Sequence, residues 1–433
     1  MYDEFTLANG VRVIAERIAH FRSVSVGLWI GAGSLYETEA DNGLSHFVEH
    51  MLFKGTHTRT ARQIASEMDA IGGQMNAFTA KECTCYYAKV MDEHFENAVD
   101  LLSDLLLHSA LDPAELEKER GVILEEIAMV EDTPEDLVHD MLSAAHYPEQ
   151  ALARPILGTA EQIRGVTSEA LRAFHQAHYR PDNTVLAVAG NYELAHLRAL
   201  AERYLGAWQS DQPTAQMLPI RAYTPGLLRR DKDIEQMHLC LGYPGIAMGS
   251  PDIYALSIFN NLFGGGMSSR LFQRIREELG MAYSVYSYPT LYPGTGMFTL
   301  YAGTSPENAA RVAGQIGEET ALLLREGISQ TEFAQAREQL KGGYILGLES
   351  ASSRMSAIGR RKLLLGAAQN EEEILSCIAQ VTRDDVFRVA QSILTQPCSA
   401  SLVGRKATRL DIHAALADKP AAPKRKPRAP KAQ

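Results

Sequence analysis

The apolar residues of the chain follow two spacings, one typical of strands and one typical of helices. Short apolar runs predict strands at residues 23–30, 74–79, 83–90 and 183–189, with an Asn9-Gly10 hairpin between residues 5–7 and 11–14. Apolar residues three and four apart predict helices at residues 44–54, 61–71, 93–108, 113–130, 134–145 and 194–205. Helices interleaved with mostly adjacent strands indicate an α+β fold, in which helices pack on one face of a mixed, mostly antiparallel sheet.

The same order of elements begins a second time after a polar stretch at residues 209–225. Residues 44–50 and 256–262 match at Leu, Ser and Phe, which indicates two copies of one unit. The sequence therefore predicts two tandem homologous domains, at residues 1–212 and 226–417. Residues 418–433 are rich in Pro, Ala and Lys, have almost nothing apolar to bury, and predict a disordered basic tail.

Two histidines and a glutamate lie together on the predicted helix at residues 44–54. His46 and His50 are four residues apart and share a helix face, and Glu49 stands beside them. Two imidazoles at this spacing provide half of a tetrahedral zinc site, and a neighbouring carboxylate can take a proton from an attacking water. A single histidine on an apolar helix is more often a packed residue, so the pair has to be weighed against that simpler interpretation.

The internal repeat helps to decide between the two interpretations. The second copy of the helix has Ile258, Asn261 and Leu262 where the first has the two histidines and the glutamate. A packing position tolerates either set, whereas a zinc ligand does not. The helix can therefore fold without the polar trio, which favours a functional role for it.

A third ligand is needed, and the richest source of carboxylates is the predicted helix at residues 113–130. Glu119 and Glu126 are two turns apart and share a face with Ile123. An acidic helix face is usually a solvated face. The residues alone leave open which glutamate completes the site.

Composition limits the other possibilities. The chain has 433 residues, 45% hydrophobic and 22% charged, which is typical of a soluble globular protein with at least two domains. No apolar run approaches the roughly 18 residues that span a bilayer, and the amino terminus lacks the pattern of a secretory signal. The odd number of cysteines, five, fits a reducing compartment, so we expect a cytoplasmic protein. The net charge of −11 disfavours nucleic acid as a partner.

Three further patterns allow a site and a simpler explanation. Cys83-x-Cys85 could be a metal pair, but buried thiols on a strand fit better. His175-x-x-His178 has no neighbouring carboxylate, which favours a structural role. The glycines at residues 264–266 are not followed by Lys-Ser/Thr, and they are not framed as a phosphate-binding loop.

One set of motifs carries a resemblance to a known family: His46-x-x-Glu49-His50, Glu119…Glu126, Asn76-Ala77-Phe78-Thr79, Tyr179-Arg180-Pro181-Asp182-Asn183 and Arg276…Tyr283. With these motifs the chain resembles the pitrilysin-type (inverzincin, insulinase-like) zinc peptidases, the family of insulin-degrading enzyme and the mitochondrial processing peptidase. The resemblance covers nearly the whole chain up to the tail. It is greatest to the short bacterial branch, which is similar to the processing peptidase beta subunit.

The resemblance implies a role for each matching residue. It implies one zinc ion per chain held by His46, His50 and Glu126, with Glu49 as the general base and Glu119 orienting a ligand or helping Glu49. Further residues implied to act are the oxyanion-stabilising Arg276 and Tyr283 and the substrate-binding edge strand of Asn76, Ala77, Phe78 and Thr79.

The implied activity is zinc-dependent hydrolysis of extended peptides or presequence-like segments inside a clamshell chamber. Relatives build the chamber from two tandem units, and this chain holds one unit with both halves of the site. We therefore expect a homodimer in which Arg276 and Tyr283 complete the zinc centre of the partner. The alternative is a non-catalytic scaffold subunit of a heteromeric processing peptidase; members of that kind usually have broken metal motifs. The physiological substrate stays open.

Overall fold

The computed structural model describes residues 2–211 and 216–417, so the predicted tail lies outside the described residues. The first half has six strands: β1 Asp3–Thr6, β2 Arg12–Arg17, β3 Ser23–Ile30, β4 Gln74–Thr79, β5 Thr84–Met91 and β6 Thr184–Gly190. Its helices are α1 Leu44–Leu52, α2 Ala61–Ala70, α3 Phe95–His108, α4 Pro113–Asp132, α5 Pro134–His146, α6 Ala160–Gly165, α7 Ser168–His178 and α8 Leu194–Leu205.

The second half repeats this plan. Its strands are β7 Leu227–Asp231, β8 Met237–Pro244, β9 Ala282–Tyr292, β10 Thr295–Thr304 and β11 Ser399–Gly404. Its helices are α9 Ile253–Phe263, α10 Ala309–Glu326, α11 Gln330–Gly347, α12 Ala351–Leu365, α13 Glu371–Gln380, α14 Arg383–Leu394 and α15 Ile412–Ala417, and Phe272–Glu278 forms a π-helical segment. Among the described residues, no helix combines the length and the apolar character needed to cross a bilayer.

Apart from the additional edge strand β1 of the first sheet, the two sheets share one strand order, which confirms the predicted α+β fold with two tandem copies of one unit. The strand orders are β1-β2-β6-β3-β5-β4 and β7-β11-β8-β10-β9. In each sheet one pair is parallel, β2 with β6 and β7 with β11, and the other pairs are antiparallel. The strands β4 and β9 occupy equivalent edges. The exact domain limits at residues 212 and 226 stay a prediction.

Most elements lie where the hydrophobic pattern predicts them, and the exceptions have local reasons. The strand β11 is Ser-Ala-Ser-Leu-Val-Gly, in which small residues are buried on both faces and leave no alternation. The strand β7 has two apolar residues followed by three charged ones. The helices α6 and α7 were not predicted, although Thr159 and Thr167 cap their amino termini.

The predicted layer of helices covers one face of each sheet, and one helix from the other half covers the opposite face. The helix α12 of the second half packs on β2, β3 and β6, and α5 of the first half packs on β7, β8 and β11. Met355 and Ile358 thereby join a buried cluster with Trp29. Leu137, Val138 and Leu142 form the equivalent cluster on the second sheet. Each half therefore completes the core of the other.

Glycines allow these exchanged helices to approach the sheets closely. A Cβ on Gly359 of α12 would lie 2.3 Å from the indole nitrogen of Trp29, and one on Gly27 of β3 would lie 2.4 Å from the sulfur of Met355. On the other sheet, a Cβ on Gly242 would be 3.2 Å from Leu142. These contacts are too tight for a larger residue. Glycines on the sheets and on α12 therefore help to determine how the two helices pack.

We expect the two halves to unfold as one cooperative unit. Replacing fully buried Leu142 or Met355 with alanine should lower the free energy of unfolding by about 2–5 kcal/mol, because each leaves a cavity between a sheet and an exchanged helix. Leu346→Ala is the matched control, since Leu346 is 67% exposed and its loss should change stability by about 0.5 kcal/mol or less. Urea unfolding followed by circular dichroism and tryptophan fluorescence measures both. Two separable transitions, only one of them shifted by each variant, would contradict this prediction.

Candidate metal centre

The helix α1 is held at its amino terminus by a carboxylate from outside the helix. Gly43 precedes α1 with φ +98°, and its Cβ position is blocked 2.8 Å from the carbonyl of Leu157. The buried side chain of Glu37 accepts hydrogen bonds from the backbone N–H of Gly43 (2.9 Å) and Ser45 (2.7 Å), and from the amide of Asn42 (2.9 Å). An anion at this end satisfies free N–H groups and complements the helix dipole, so Glu37 fixes where α1 starts.

The apolar face of α1 determines which side chains remain accessible. Leu44, Phe47, Val48 and Met51 are buried in the core of the first half. A helix anchored along these positions turns the opposite face, with both histidines and the glutamate, toward α4 and β4.

The helix α4 presents its carboxylates to that face. Asp112 caps it by accepting from the N–H of Ala114 at 2.7 Å and of Glu115 at 3.3 Å. Leu116, Glu119 and Ile123 are its buried residues, and Glu126 follows on the same face. One row on α4 therefore supplies both the packing against α1 and two inward carboxylates.

Three side chains from α1 and α4 converge on a common point. His46 Nε2 lies 3.7 Å and His50 Nε2 3.6 Å from the same oxygen, Oε2 of Glu126. Within the described residues, His46, His50 and Glu126 form the one group of three or more potential ligands with donor atoms within 4.8 Å of one another. The structure thus brings together the two histidines with one of the glutamates that the residues alone left open.

The donor set fits a zinc ion. Zinc binds imidazole nitrogen and carboxylate oxygen at about 2.0–2.2 Å, so ligand atoms in a tetrahedral site lie about 3.3 Å apart. The observed 3.6–3.7 Å requires only small side-chain movements. Glu126 is 33% exposed while the histidines are 12% and 17% exposed, so the cluster is open on one side, as a catalytic metal site requires.

The Nδ1 atom of His50 contacts a carboxylate that is itself paired with a lysine. His50 Nδ1 is 3.0 Å from Oε2 of Glu119, whose other oxygen lies 2.6 Å from Nζ of Lys54. A carboxylate at Nδ1 favours the tautomer with its proton there and leaves Nε2 free to bind a metal. Lys54 supplies the positive charge that balances Glu119, which is only 6% exposed.

The environment of His46 is different. Its Nδ1 is buried and has no hydrogen-bond partner among the described residues. Burial, and then the neighbouring His50, lowers the pKa of His46 to about 3. The imidazole is therefore neutral near pH 7, which is the form that binds a metal.

Glu49 lies beside the cluster and has its own hydrogen-bond partner. Thr79 Oγ1 donates to Glu49 Oε2 at 2.5 Å. Burial raises the pKa of Glu49 most strongly and the charge of Glu126 adds to this, while the Thr79 hydrogen bond and His50 oppose it. A carboxylate with a raised pKa is a better proton acceptor than an ordinary surface glutamate.

The predicted substrate strand is an edge strand. Because Ala80 N donates to Cys83 O at 2.8 Å, the alternation of the antiparallel ladder turns the main-chain groups of Ala77 and Thr79 away from β5. The N–H of Ala77 donates to the side chain of its own neighbour Asn76 at 2.8 Å. Phe78 is 39% exposed and packs edge-on against Trp29.

Arg276 and Tyr283 contact each other in the second half. Arg276 belongs to the π-helical segment Phe272–Glu278 and lies over the rings of Phe272 and Tyr283, 4.9 Å from each centroid. Tyr283 is 74% exposed on the edge strand β9. Among the described residues, no hydrogen bond or ion pair links either residue to His46, Glu49, His50 or Glu126.

The other patterns have structural roles. Cys83 and Cys85 are buried thiols in the cluster around Trp29. His175 Nε2 hydrogen-bonds to the carbonyl oxygen of Leu106 at 3.0 Å. His178 packs on Phe174. In the glycine loop, the N–H groups of Gly264 and Gly265 donate to the carbonyl of Asn260 at the end of α9.

Sequence reasoning missed two residues that shape the site. Lys54 is four residues after His50, so continued helical spacing could have identified it, although α1 ends at Leu52. Glu37 lies in an irregular segment before α1, and no sequence pattern connects it to the helix terminus.

The fold and the cluster define a tandem-domain α+β protein with a candidate zinc site in its first half. Family profiles match residues 12–160, described as Insulinase (Peptidase family M16), and residues 165–340, described as Peptidase M16 inactive domain. A protein of Bacillus subtilis named an uncharacterized zinc protease is 44% identical over 93% of this chain and 98% of its own. Another of that name from Streptomyces coelicolor is 40% identical over 94% and 91%. The chain belongs to peptidase family M16.

Solved structures support the same fold. A protease from Helicobacter pylori has a TM-score of 0.88 at 20% identity and covers 93% of this chain and 99% of its own. A structure described as a peptidase M16 inactive domain, from Pseudomonas fluorescens, has a TM-score of 0.88 at 21% identity over 94% and 98%. A particular similarity to the processing peptidase beta subunit stays a prediction, as does a cytoplasmic location.

We expect the protein to bind one zinc ion per chain, and Glu119→Gln to weaken that binding by about 10- to 100-fold, because the amide cannot fix the charge and tautomer of His50. Competition with a chromophoric chelator measures the affinity. Glu125→Gln is the matched control, since Glu125 is an exposed glutamate on the same helix. Equal zinc affinities in the Glu119→Gln and Glu125→Gln variants would show that Glu119 does not support metal binding.

Proposed function

We propose that the chain is a zinc-dependent endopeptidase that hydrolyses extended peptides. The observation that carries the proposal is the convergence of His46 and His50 on one oxygen of Glu126, with the half-buried carboxylate of Glu49 beside them. Metal-ligating groups next to a separate general base are what peptide hydrolysis requires. The names of the relatives as zinc proteases support the choice of metal and of reaction class.

The chain's own residues have distinct tasks in this mechanism. Zinc in such a site supplies an activated water and polarises the scissile carbonyl. Glu49 accepts the proton of the attacking water and then delivers it to the leaving amine. His50 is kept in the correct tautomer by Glu119, and Lys54 balances the charge of that carboxylate.

The edge strand β4 supports recognition of extended peptides through their main chain. The outward N–H and C=O of Ala77 are placed to pair with an added strand. In the free protein the side chain of Asn76 occupies the N–H of Ala77. An incoming peptide carbonyl replaces Asn76, whose side chain protects an otherwise unpaired edge in the absence of substrate. Main-chain pairing of this kind gives broad selectivity among unfolded peptides.

The exposed Arg276–Tyr283 pair supports a two-fold homodimer. The pair lies on the second half, stacked and accessible, and has no polar link to the metal cluster of its own chain among the described residues. Developing negative charge on the peptide carbonyl needs a positive or hydrogen-bonding group. In the dimer, Arg276 and Tyr283 of each chain stabilise the oxyanion at the metal centre of the other and close the chamber.

Glu49→Gln should reduce peptide hydrolysis to a low residual rate while zinc binding is retained. Loss of the general base lowers kcat by about 10²- to 10⁴-fold, whereas the ligands His46, His50 and Glu126 are untouched. Cleavage of a quenched fluorescent peptide library, together with metal analysis, measures the two effects, and Glu125→Gln serves again as the control. A variant that cleaves at the parental rate excludes this role for Glu49. A zinc-loaded parent protein that cleaves no peptide favours the scaffold-subunit alternative.

The dimer is tested by combining two inactive variants. Glu49→Gln and Arg276→Ala chains with different affinity tags are co-expressed, and the mixed dimer is purified through both tags. The mixed dimer should recover about half of the parental activity, since it contains one centre with an intact base and an intact arginine from its neighbour.

The matched control pairs Glu49→Gln with His46→Ala chains, which both damage the metal half of the site. No complete centre can form in that mixture, so it should stay inactive. A parental protein that is monomeric and fully active, or a first mixture as inactive as the control, would overturn the shared site.

A further inference from the structure

The side chains that β4 turns toward α1 are apolar except for the last one, which carries a hydroxyl. Met75, Ala77 and Thr79 are half-buried, while the alternate residues face solvent. Met75 and Ala77 pack against the core of the first half. Thr79 instead places a hydroxyl 2.5 Å from Oε2 of Glu49. The polar end of this row therefore meets the catalytic face of α1.

The available protons determine the direction of this hydrogen bond. Each threonine hydroxyl has one proton to donate. Thr84, which is paired with Thr79 across the hairpin, donates its proton to the carbonyl of Ala32 at 2.9 Å. The Thr79 hydroxyl lies 3.4 Å from Thr84 Oγ1 but 2.5 Å from the Glu49 carboxylate, which can only accept when ionised. The hydroxyl of Thr79 therefore donates its hydrogen bond to Glu49.

The segment that carries Thr79 is held rigidly. Residues Ala80 and Lys81 accept hydrogen bonds through their carbonyls from the N–H of Ser34 (3.3 Å) and Leu35 (2.8 Å). A Cβ on Gly33 would lie 2.3 Å from the carbonyl oxygen of Ala80, so the two backbones are in close contact. A donor on such a support keeps its position when substrate arrives.

We propose that Thr79 is a positioning residue for Glu49. Its hydroxyl holds Oε2 of the carboxylate and leaves Oε1 as the oxygen that takes and returns the proton. The inference rests on the proposed peptidase function. It adds a side-chain role to the main-chain role predicted for Thr79 in substrate binding, because the Thr79 hydroxyl points inward to Glu49.

Two substitutions separate the hydroxyl from the rest of the side chain. Thr79→Val keeps the shape and removes the proton donor, and Thr79→Ser keeps the donor. We expect Thr79→Val to lower kcat by about 10- to 100-fold with KM changed by less than about twofold, because only the orientation of the base is lost. Thr79→Ser should stay within about threefold of the parent. Zinc content and thermal midpoint, measured on the same samples, should be unchanged in both.

A double mutant shows whether Thr79 acts through Glu49. In a Glu49→Gln background, adding Thr79→Val should cause no further loss, since the group that it orients is already absent. Thr290→Val on the equivalent edge strand β9 is the matched control and should leave both kcat and KM at parental values.

Any other result for Thr79→Val contradicts the proposal, and each one indicates a different role for Thr79. A raised KM at constant kcat would make Thr79 a substrate contact, and lost zinc or a lowered thermal midpoint in Thr79→Val would make it structural. Parental kcat in Thr79→Val would leave the peptidase function intact and remove the positioning role. A parent protein without activity overturns the proposed function itself, before the variants are compared.

Discussion

The position of Glu126 relative to His46 and His50 depends on the helix α4, which is joined to the helix α5 that packs on the second sheet. The carboxylate lies on α4, and α4 passes into α5 through the single residue Thr133. The helix α5 is fixed beneath the second sheet, where Val138 accepts a hydrogen bond from Ser401 at 2.6 Å and Leu142 is fully buried. A shift of the second half would therefore move α4 along α1. The second half therefore helps to hold the geometry of the candidate metal site in the first.

This coupling gives the inactive copy a physical role. At the positions equivalent to His46 and His50, the second half has Ile258 and Leu262, which are buried in its core. The first half has polar groups at those positions, and they need partners that apolar residues do not. Glu119 and Lys54 supply them for His50. A tandem repeat allows one copy to keep apolar residues at these positions while the other carries polar groups that its packing does not require.

The sequence predicted the helices and strands that have a clear period, and it predicted α1 with His46, Glu49 and His50 on one face. It could not choose Glu126, because spacing along α4 places several glutamates within reach of α1 and the choice needed the family resemblance. The sequence also did not predict that α5 and α12 each pack on the sheet of the other half. A sheet buried on both faces has continuous apolar strands, and such strands do not reveal which helix covers them. Glu37 acts at the start of α1 from an irregular segment, where helical spacing gives no information.

The two histidines reach their common point by different means, and this difference has a consequence for the chemistry. His50 is oriented from behind by a carboxylate, whereas His46 has a buried Nδ1 and depends on the packing of α1 for its direction. Burial, and then the neighbouring His50, lowers the pKa of His46 to about 3, so its imidazole is neutral near pH 7, which is the form that binds a metal. The burial that leaves Nδ1 without a hydrogen-bond partner among the described residues also keeps the imidazole neutral and so able to bind a metal. The packing of α1, which Glu37 fixes at one end and the core fixes along its length, therefore helps to shape the candidate metal site.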